Sequence, residues 1–184
     1  ANADPQRDAR LHIAGATIQG LDDGVTAWII EADSVWSGQR GDTTTIEGIT
    51  HGEIMREGAP YLTFSADGGR YASRTGELVL SGGVQFWQGD RPMLRTDQVI
   101  WKPAESRAVA PGKVVITTGA GELTVDSLEL DVTADKMYYA GDMLMTMADS
   151  GMGITVKGDN IVFDPLTESF EATGPTTIEF ELEE

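Results

Sequence analysis

The stretch Leu62–Phe86, LTFSADGGRYASRTGELVLSGGVQF, decides how the rest of the chain is read. Leu62, Phe64 and Ala66 share one parity on its first arm, and Leu78, Leu80, Gly82, Val84 and Phe86 share one on its second. Side chains alternate between the two faces of a strand, so each arm turns one apolar face inward. The segment between the arms is rich in Gly and charge and predicts a turn. The whole is an amphipathic β-hairpin, and what its inward face touches is the functional question.

The same pattern continues in both directions. Ala1 to Arg10 is polar and without period, which predicts a loose lead-in over 1–10 followed by a single elongated β unit over 11–184. Leu11, Ile13 and Ile18 lead to a reversal at Leu21-Asp22-Asp23-Gly24, after which Val25 to Trp36 alternates, with Trp28, Ile30 and Ala32 on one face. Thr43 to Ile54 favours strand by its Thr and Ile content, and Gly48 and Gly52 predict bends or bulges in it. Met93 to Trp101 is a further strand, bounded by turns at Gly89–Pro92 and Lys102–Ser106. Strands are then expected over Val114–Thr118, Leu123–Val132, Lys136–Met147, Ile154–Phe163 and Ser169–Leu182. Asp126 to Asp135 could be written as a short helix, but Leu128, Leu130 and Val132 alternate at period two, so it is kept as strand. The last strand alternates Ile178, Phe180 and Leu182 with glutamates, the mark of a one-sided terminal strand that serves as a gatekept or a docking edge.

A weak internal repeat emerges when Asp33, Asp67, Asp97, Asp126 and Asp159 are aligned, at spacings of 34, 30, 29 and 33. Each precedes an apolar or aromatic pattern, and the best-matched pair is TDQVIWKP at Thr96–Pro103 with GDNIVFDP at Gly158–Pro165. Such a period predicts stacked strand pairs sharing one continuous core. The five aspartates are expected to start turns by bonding nearby backbone amides.

Composition narrows the function classes. Thirty acidic against 13 basic residues leave a formal charge of −17, which argues against nucleic acid and anionic lipid surfaces as partners. No cysteine is present, so disulfides and thiolate metal sites are excluded. No apolar run reaches the ~18 residues of a membrane-spanning helix. The start at Ala1 without Met suggests that a targeting segment has been removed.

Motifs for catalysis are sparse, and no cofactor or metal is expected. His12 and His51 stand alone, and neither a nucleophile elbow of the GxSxG type nor a phosphate loop occurs. Asp22/Asp23 or Asp131/Asp135 as a glycosidase pair, and calcium at 41–43 or 149–151, lack the supporting spacing. The apolar residues carry more information. Trp28, Trp36, Trp87 and Trp101, with Met137, Met143, Met145, Met147 and Met152, are many large side chains for one stack; they fill an ordinary core or line an apolar trough.

The order Asp23-Gly24, Trp28-x-Ile30-x-Ala32, Leu62-x-Phe64-x-Ala66-Asp67-x-Gly69-x-Tyr71, Gly76-x-Leu78-x-Leu80-x-Gly82-x-Val84 and Leu94-x-Thr96-Asp97 resembles LptC, the periplasmic lipopolysaccharide-export family. The likeness covers roughly residues 11 to 132, and the remainder resembles further units of the related LptA and OstA-like domain. LptC proper, an LptA-like bridge piece and a fused form all remain open. The resemblance implies an all-β, open, folded-over β jelly roll, a taco of stacked antiparallel strand pairs whose interior carries lipopolysaccharide acyl chains. It implies a non-enzymatic transfer role in the periplasm, with anchoring to the inner membrane by an N-terminal segment outside this sequence. The implied partners are lipopolysaccharide, the inner-membrane export transporter, an LptA-like jelly roll added edge to edge, and a second copy associating head to tail. By parity the trough would be lined by Trp28, Ile30, Phe64, Leu78, Leu80, Val84, Phe86, Leu94, Val99, Trp101, Val114, Ile116, Val125, Leu128 and Leu130, with Val79 and Gln85 facing the other way. Two alternatives stand beside this reading: a secreted β-repeat scaffold or adhesin with a closed core, and a glycan hydrolase with a two-carboxylate cleft.

Overall fold

A computed structural model of the chain describes residues 9–38, 40–119, 121–131, 136–147, 152–157, 160–164 and 169–181. Its strands in chain order are β1 (Ala9–Asp22), β2 (Val25–Gly38), β3 (Thr43–Arg56), β4 (Ala59–Ala72), β5 (Glu77–Gln88), β6 (Arg91–Lys102), β7 (Arg107–Ala110), β8 (Val114–Thr117), β9 (Gly121–Asp131), β10 (Lys136–Met147), β11 (Gly153–Lys157), β12 (Asn160–Asp164), β13 (Ser169–Thr173) and β14 (Thr177–Glu181). A 3-10 turn, Pro103–Glu105, joins β6 to β7. These strands belong to one antiparallel sheet in which chain neighbours pair from β1 to β7; β7 and β8 then both lie between β6 and β9, and beyond β10 the pairs are β11 with β14 and β12 with β13. Short polar turns with Gly at left-handed positions, such as Asp23-Gly24 and Glu57-Gly58, dictate this meander, because a two-residue reversal can only return the chain antiparallel beside itself.

The sheet is folded over on itself. Trp28 on β2 is level with Ile54 on β3 and Leu62 on β4, and Leu62 lies nine residues from Tyr71 along β4. In a flat sheet that offset is about 30 Å. Yet the Trp28 and Tyr71 rings meet edge to face, with centroids 5.3 Å apart. The two halves of each long strand therefore form two facing walls, joined along a crease at mid-strand.

The crease is written in the order of inward residues. On β2 these are Trp28, Ile30 and Ala32, then Val35; on β4 Phe64 and Ala66, then Tyr71; on β6 Leu94 and Thr96, then Val99 and Trp101; on β9 Leu123 and Val125, then Leu128. The inward parity changes once in each strand, across Asp33, Asp67, Asp97 and Asp126. All four aspartates are exposed on the outer face. Two successive residues off the inner face are what a sharp inward bend produces.

Each aspartate is followed fifteen positions on by a glycine: Gly48, Gly82, Gly112, Gly141 and Gly174 after Asp33, Asp67, Asp97, Asp126 and Asp159. Antiparallel register brings the members side by side, with Gly15 and Gly48 flanking Asp33, and Gly48 and Gly82 flanking Asp67. Gly48 (φ 64°) and Gly82 (φ 81°) are left-handed, and the Asp33 and Asp67 carboxylates occupy the space a Cβ at those glycines would need. The result is one row of alternating Asp and Gly running across the sheet.

Several sequence expectations change here. The Asp67-Gly68-Gly69 segment is not part of the hairpin turn, which is Ser73–Gly76; it is mid-strand in β4. The aspartates on described strands mark the crease, not turns, because the bend they accompany is transverse to the hairpins. β7 was not expected at all: Arg-Ala-Val-Ala is too short to show alternation. The single strand expected over Ile154–Phe163 is two, β11 and β12, and that over Ser169–Leu182 is β13 and β14. Each of these four short strands has its own partner, since β11 pairs with β14 and β12 with β13. Most of the lead-in, together with Asp135, Asp149 and Asp159, lies outside the described residues.

Candidate functional site

The inner face of the folded sheet is the candidate site. One group of buried side chains spans β2 to β5 and includes Trp28, Ile30, Ile46, Ile49, Phe64, Leu78, Leu80 and Val84. A second spans β7 to β12 and includes Val114, Ile116, Leu123, Val125, Leu128, Tyr139, Met143 and Ile161. Val99 on β6 packs against both, so the apolar interior is continuous. With neighbouring strands about 4.8 Å apart, the ten strands from β1 to β11 along the sheet make it roughly 43 Å long.

Close packing in this interior depends on local sequence. Gly20 leaves room for the Trp28 indole, and Gly52 lies under the Phe64 ring; a Cβ at either would overlap those aromatic rings. Phe64 and Phe86, paired across β4 and β5, tilt against each other at 5.5 Å. The extra residue at Gly82-Gly83 keeps Val84 and Phe86 on the inner face beside Leu78 and Leu80 after the bend.

The residues expected from parity are brought together. Trp28, Ile30, Phe64, Leu78, Leu80, Val84, Val114, Ile116, Val125 and Leu128 are buried in the interior. Phe86, Leu94, Val99 and Trp101 are half-buried and pack against it, and Leu130 is half-buried beside Ala108 and Met137. Val79 is half-buried and Gln85 exposed; neither belongs to the core. Ala32 and Ala66, on the faces expected to turn inward, are buried there, as is Met143, expected in a core or trough. Parity reasoning missed Val35, Ile46 and Ile49, which sit beyond a crease or bulge where the phase has slipped, Ala110, too small to stand out, and Leu123, Tyr139 and Ile161 in the second half. Of the tryptophans, Trp28 and Trp101 point inward, whereas Trp36 stacks on His12 with ring centroids 3.7 Å apart.

The walls meet. Ile30, Val84 and Val114 are 0% exposed, so in this structure the inner faces pack on one another along the crease. Polarity inside is confined to few groups. Thr96 is buried and donates to the Lys113 carbonyl at 2.9 Å; the Tyr139 hydroxyl lies 3.8 Å from the Met137 sulfur, and burial pushes its pKa well above the ordinary value. On the surface Arg95 pairs with Glu122 at 3.3 Å and Arg107 with Glu129. Among the described residues no three His, Asp or Glu side chains gather as metal ligands.

Among the described residues both ends of the sheet are open and carry apolar side chains. Leu11 and Ile13 are exposed on β1, and Ile178 and Phe180 on β14, the latter 64% accessible. An unpaired strand with exposed Ile and Phe can accept another strand. The two rims also differ. Turns β1–β2 and β3–β4 present Leu21, Val25 and Tyr61, with the Arg56 guanidinium 5.0 Å from the Tyr61 ring centre. On the opposite rim Ser73 caps the Gly41 and Asp42 carbonyls.

Fold and site together define an open, folded-over antiparallel β jelly roll with a continuous apolar interior. No protein-family model matches the chain, and no curated protein matches it. Among solved structures, it is similar to LptH, the LptA-homologous periplasmic component of the lipopolysaccharide transport device of Pseudomonas aeruginosa, at 15% identity and a TM-score of 0.49, over 67% of this chain and 95% of that one.

Proposed function

We propose that the chain is a non-enzymatic periplasmic carrier that shields the acyl chains of lipopolysaccharide between its two walls. The observation that carries this reading is the Trp28–Tyr71 contact across a folded sheet whose interior is continuously apolar apart from a few groups and whose end strands have one free edge among the described residues. Exposing a twelve-carbon chain to water costs on the order of 10 kcal/mol at ~0.8 kcal/mol per CH₂. A row of Leu, Ile, Val, Met and Phe removes that cost without directional bonds, so the cargo can slide. The resemblance of the residue order to LptC supports lipopolysaccharide as the lipid, and the partners found would decide between an LptC-like and an LptA-like role. Residues 11–184 act as one unit in this reading, receiving lipid from the inner-membrane export transporter. They pass it to the next jelly roll, LptA-like or a second copy, joined at the β1 or β13–β14 edge.

The test is photo-crosslinking in cells. A crosslinking side chain at Phe64 or Phe86 is expected to capture lipopolysaccharide and one at Val79 to capture none; equal labelling, or no labelling at all, sinks the carrier reading. A second reading, a scaffold with a permanently closed core, is favoured by the zero exposure of Ile30, Val84 and Val114. It requires that an apolar dye find no site that lipopolysaccharide can displace it from.

A further inference from the structure

With the walls in contact, acyl chains have no entry unless the walls part. We infer that the transverse row of aspartate and glycine is a hinge line about which the two walls separate to admit apolar cargo; this deepens the carrier reading and rests on it.

Three features of the row support a hinge. First, the hydrogen-bond ladder loses its regular register on the row or close beside it from β2 to β10. The breaks span the row at Ser65/Gly68 on β4–β5, Ser81/Val84 on β5–β6 and Ala140/Met143 on β9–β10 and lie beside it at Thr50–His51, as Glu31/Ala32 on β2–β3 and Ile49/Gly52 on β3–β4, whereas β1–β2 pairing runs past Gly15 and Asp33 without a shift. On either side the register runs regularly for several residues, so two stiff plates are joined along a line of weak pairing. Second, the chain crosses that line at Gly48 and Gly82 in left-handed conformations, where a residue without Cβ changes φ and ψ at least cost. Third, the outer side of the row carries exposed carboxylates, Asp33, Asp67, Asp97 and Asp126, with no apolar layer packed over them. Bending there exposes no new apolar surface on the outside. A line with interrupted pairing, small residues and a hydrated outer side is where a sheet opens at lowest free energy.

Hydrogen exchange on the wild-type chain without lipid tests this directly. After correction for intrinsic rates, amides at Gly82–Val84 are expected to exchange at least tenfold faster than Val79 and Leu80 before them and Gln85 and Phe86 after them. Uniform protection along β5 overturns the hinge. The absence of native cysteine allows a second measurement, with nitroxides on Thr75→Cys and Asp90→Cys in the exposed turns at the two ends of β5. Added dodecyl maltoside, below its micelle concentration, is expected to lengthen their separation. Bound detergent without lengthening overturns the hinge. Failure of any detergent or lipopolysaccharide to bind sinks the carrier reading instead, and the exchange profile then decides the hinge by itself.

Discussion

Two kinds of strand cross the crease at a glycine. β3, β5 and β10 pass Gly48, Gly82 and Gly141 unbroken, with a bulge of one extra residue at the glycine in β5 and β10 and two residues past it, at Thr50–His51, in β3. At Gly112 and Gly174 the strand breaks instead, into β7 and β8 and into β13 and β14. The difference is a neighbouring proline: Pro111 precedes Gly112 and Pro175 follows Gly174, whereas no proline adjoins the other three. Proline brings no N–H to the ladder and fixes φ near −65°, so the two rungs beside it cannot both form. The same fold line is thus built as a bulge in one region and as a gap in another, and the walls keep their register in both.

The largest effect that bears on this comparison lies in the walls themselves. Phe64→Ala, in the interior flanking an unbroken crossing, is expected to destabilise by about 3–5 kcal/mol. Ile178→Ala on exposed β14, beyond the Gly174-Pro175 gap, stays within about 0.5 kcal/mol; urea denaturation compares them, and equal losses would contradict the assignment of inner and outer positions. Next in size are the glycines. Gly48→Ala forces a left-handed alanine against the Asp33 carboxylate and is expected to cost about 1–3 kcal/mol. Gly112→Ala meets no atom within 4 Å and no left-handed backbone, and is expected to be neutral or to stabilise by up to about 1 kcal/mol. Thermal melts of the two variants that moved together would erase the distinction between bulge and gap.

Tyr139 gives a smaller, pH-dependent effect. Burial holds its hydroxyl protonated well above the unfolded value of 10.0, so the folded state binds the proton more tightly than the unfolded state. Stability is therefore unaffected below pH 10 and falls as pH rises beyond it; Tyr139→Phe is expected to flatten that part of the alkaline denaturation profile, read by circular dichroism. The smallest effect belongs to the surface pair Arg107 and Glu129, which links β7 to β9 at the end of β7 away from the β7–β8 gap. Its double-mutant cycle is expected to give about 0.2–1 kcal/mol, reduced by salt. A larger coupling would mean that side chains, and not the ladder, hold the broken crossing together.

The strands, their turns and the inward residues were largely legible along the chain, because alternation and Gly- or Asp-rich reversals act over a few neighbours. Phe64, Leu78 and Val84 needed nothing more than parity. The Asp repeat was visible too, but its meaning was not. A mid-strand bend puts two residues off the inner face in succession, and locally that looks the same as a strand ending in a turn; Asp67-Gly68 was read so. The glycine fifteen residues later carries the missing signal, yet it becomes a neighbour only through antiparallel pairing. β7, split from β8 by Pro111-Gly112, fell below the length at which any period shows.

Sequence by itself therefore determined an amphipathic antiparallel meander with one greasy face, since each of those properties is local. Only the tertiary structure decided that the greasy face folds onto itself, that Trp28 reaches Tyr71, and that the aspartates stand along the crease. Those facts depend on contacts between residues far apart in sequence, whose stabilisation comes from removing apolar surface from water and is blind to chain order.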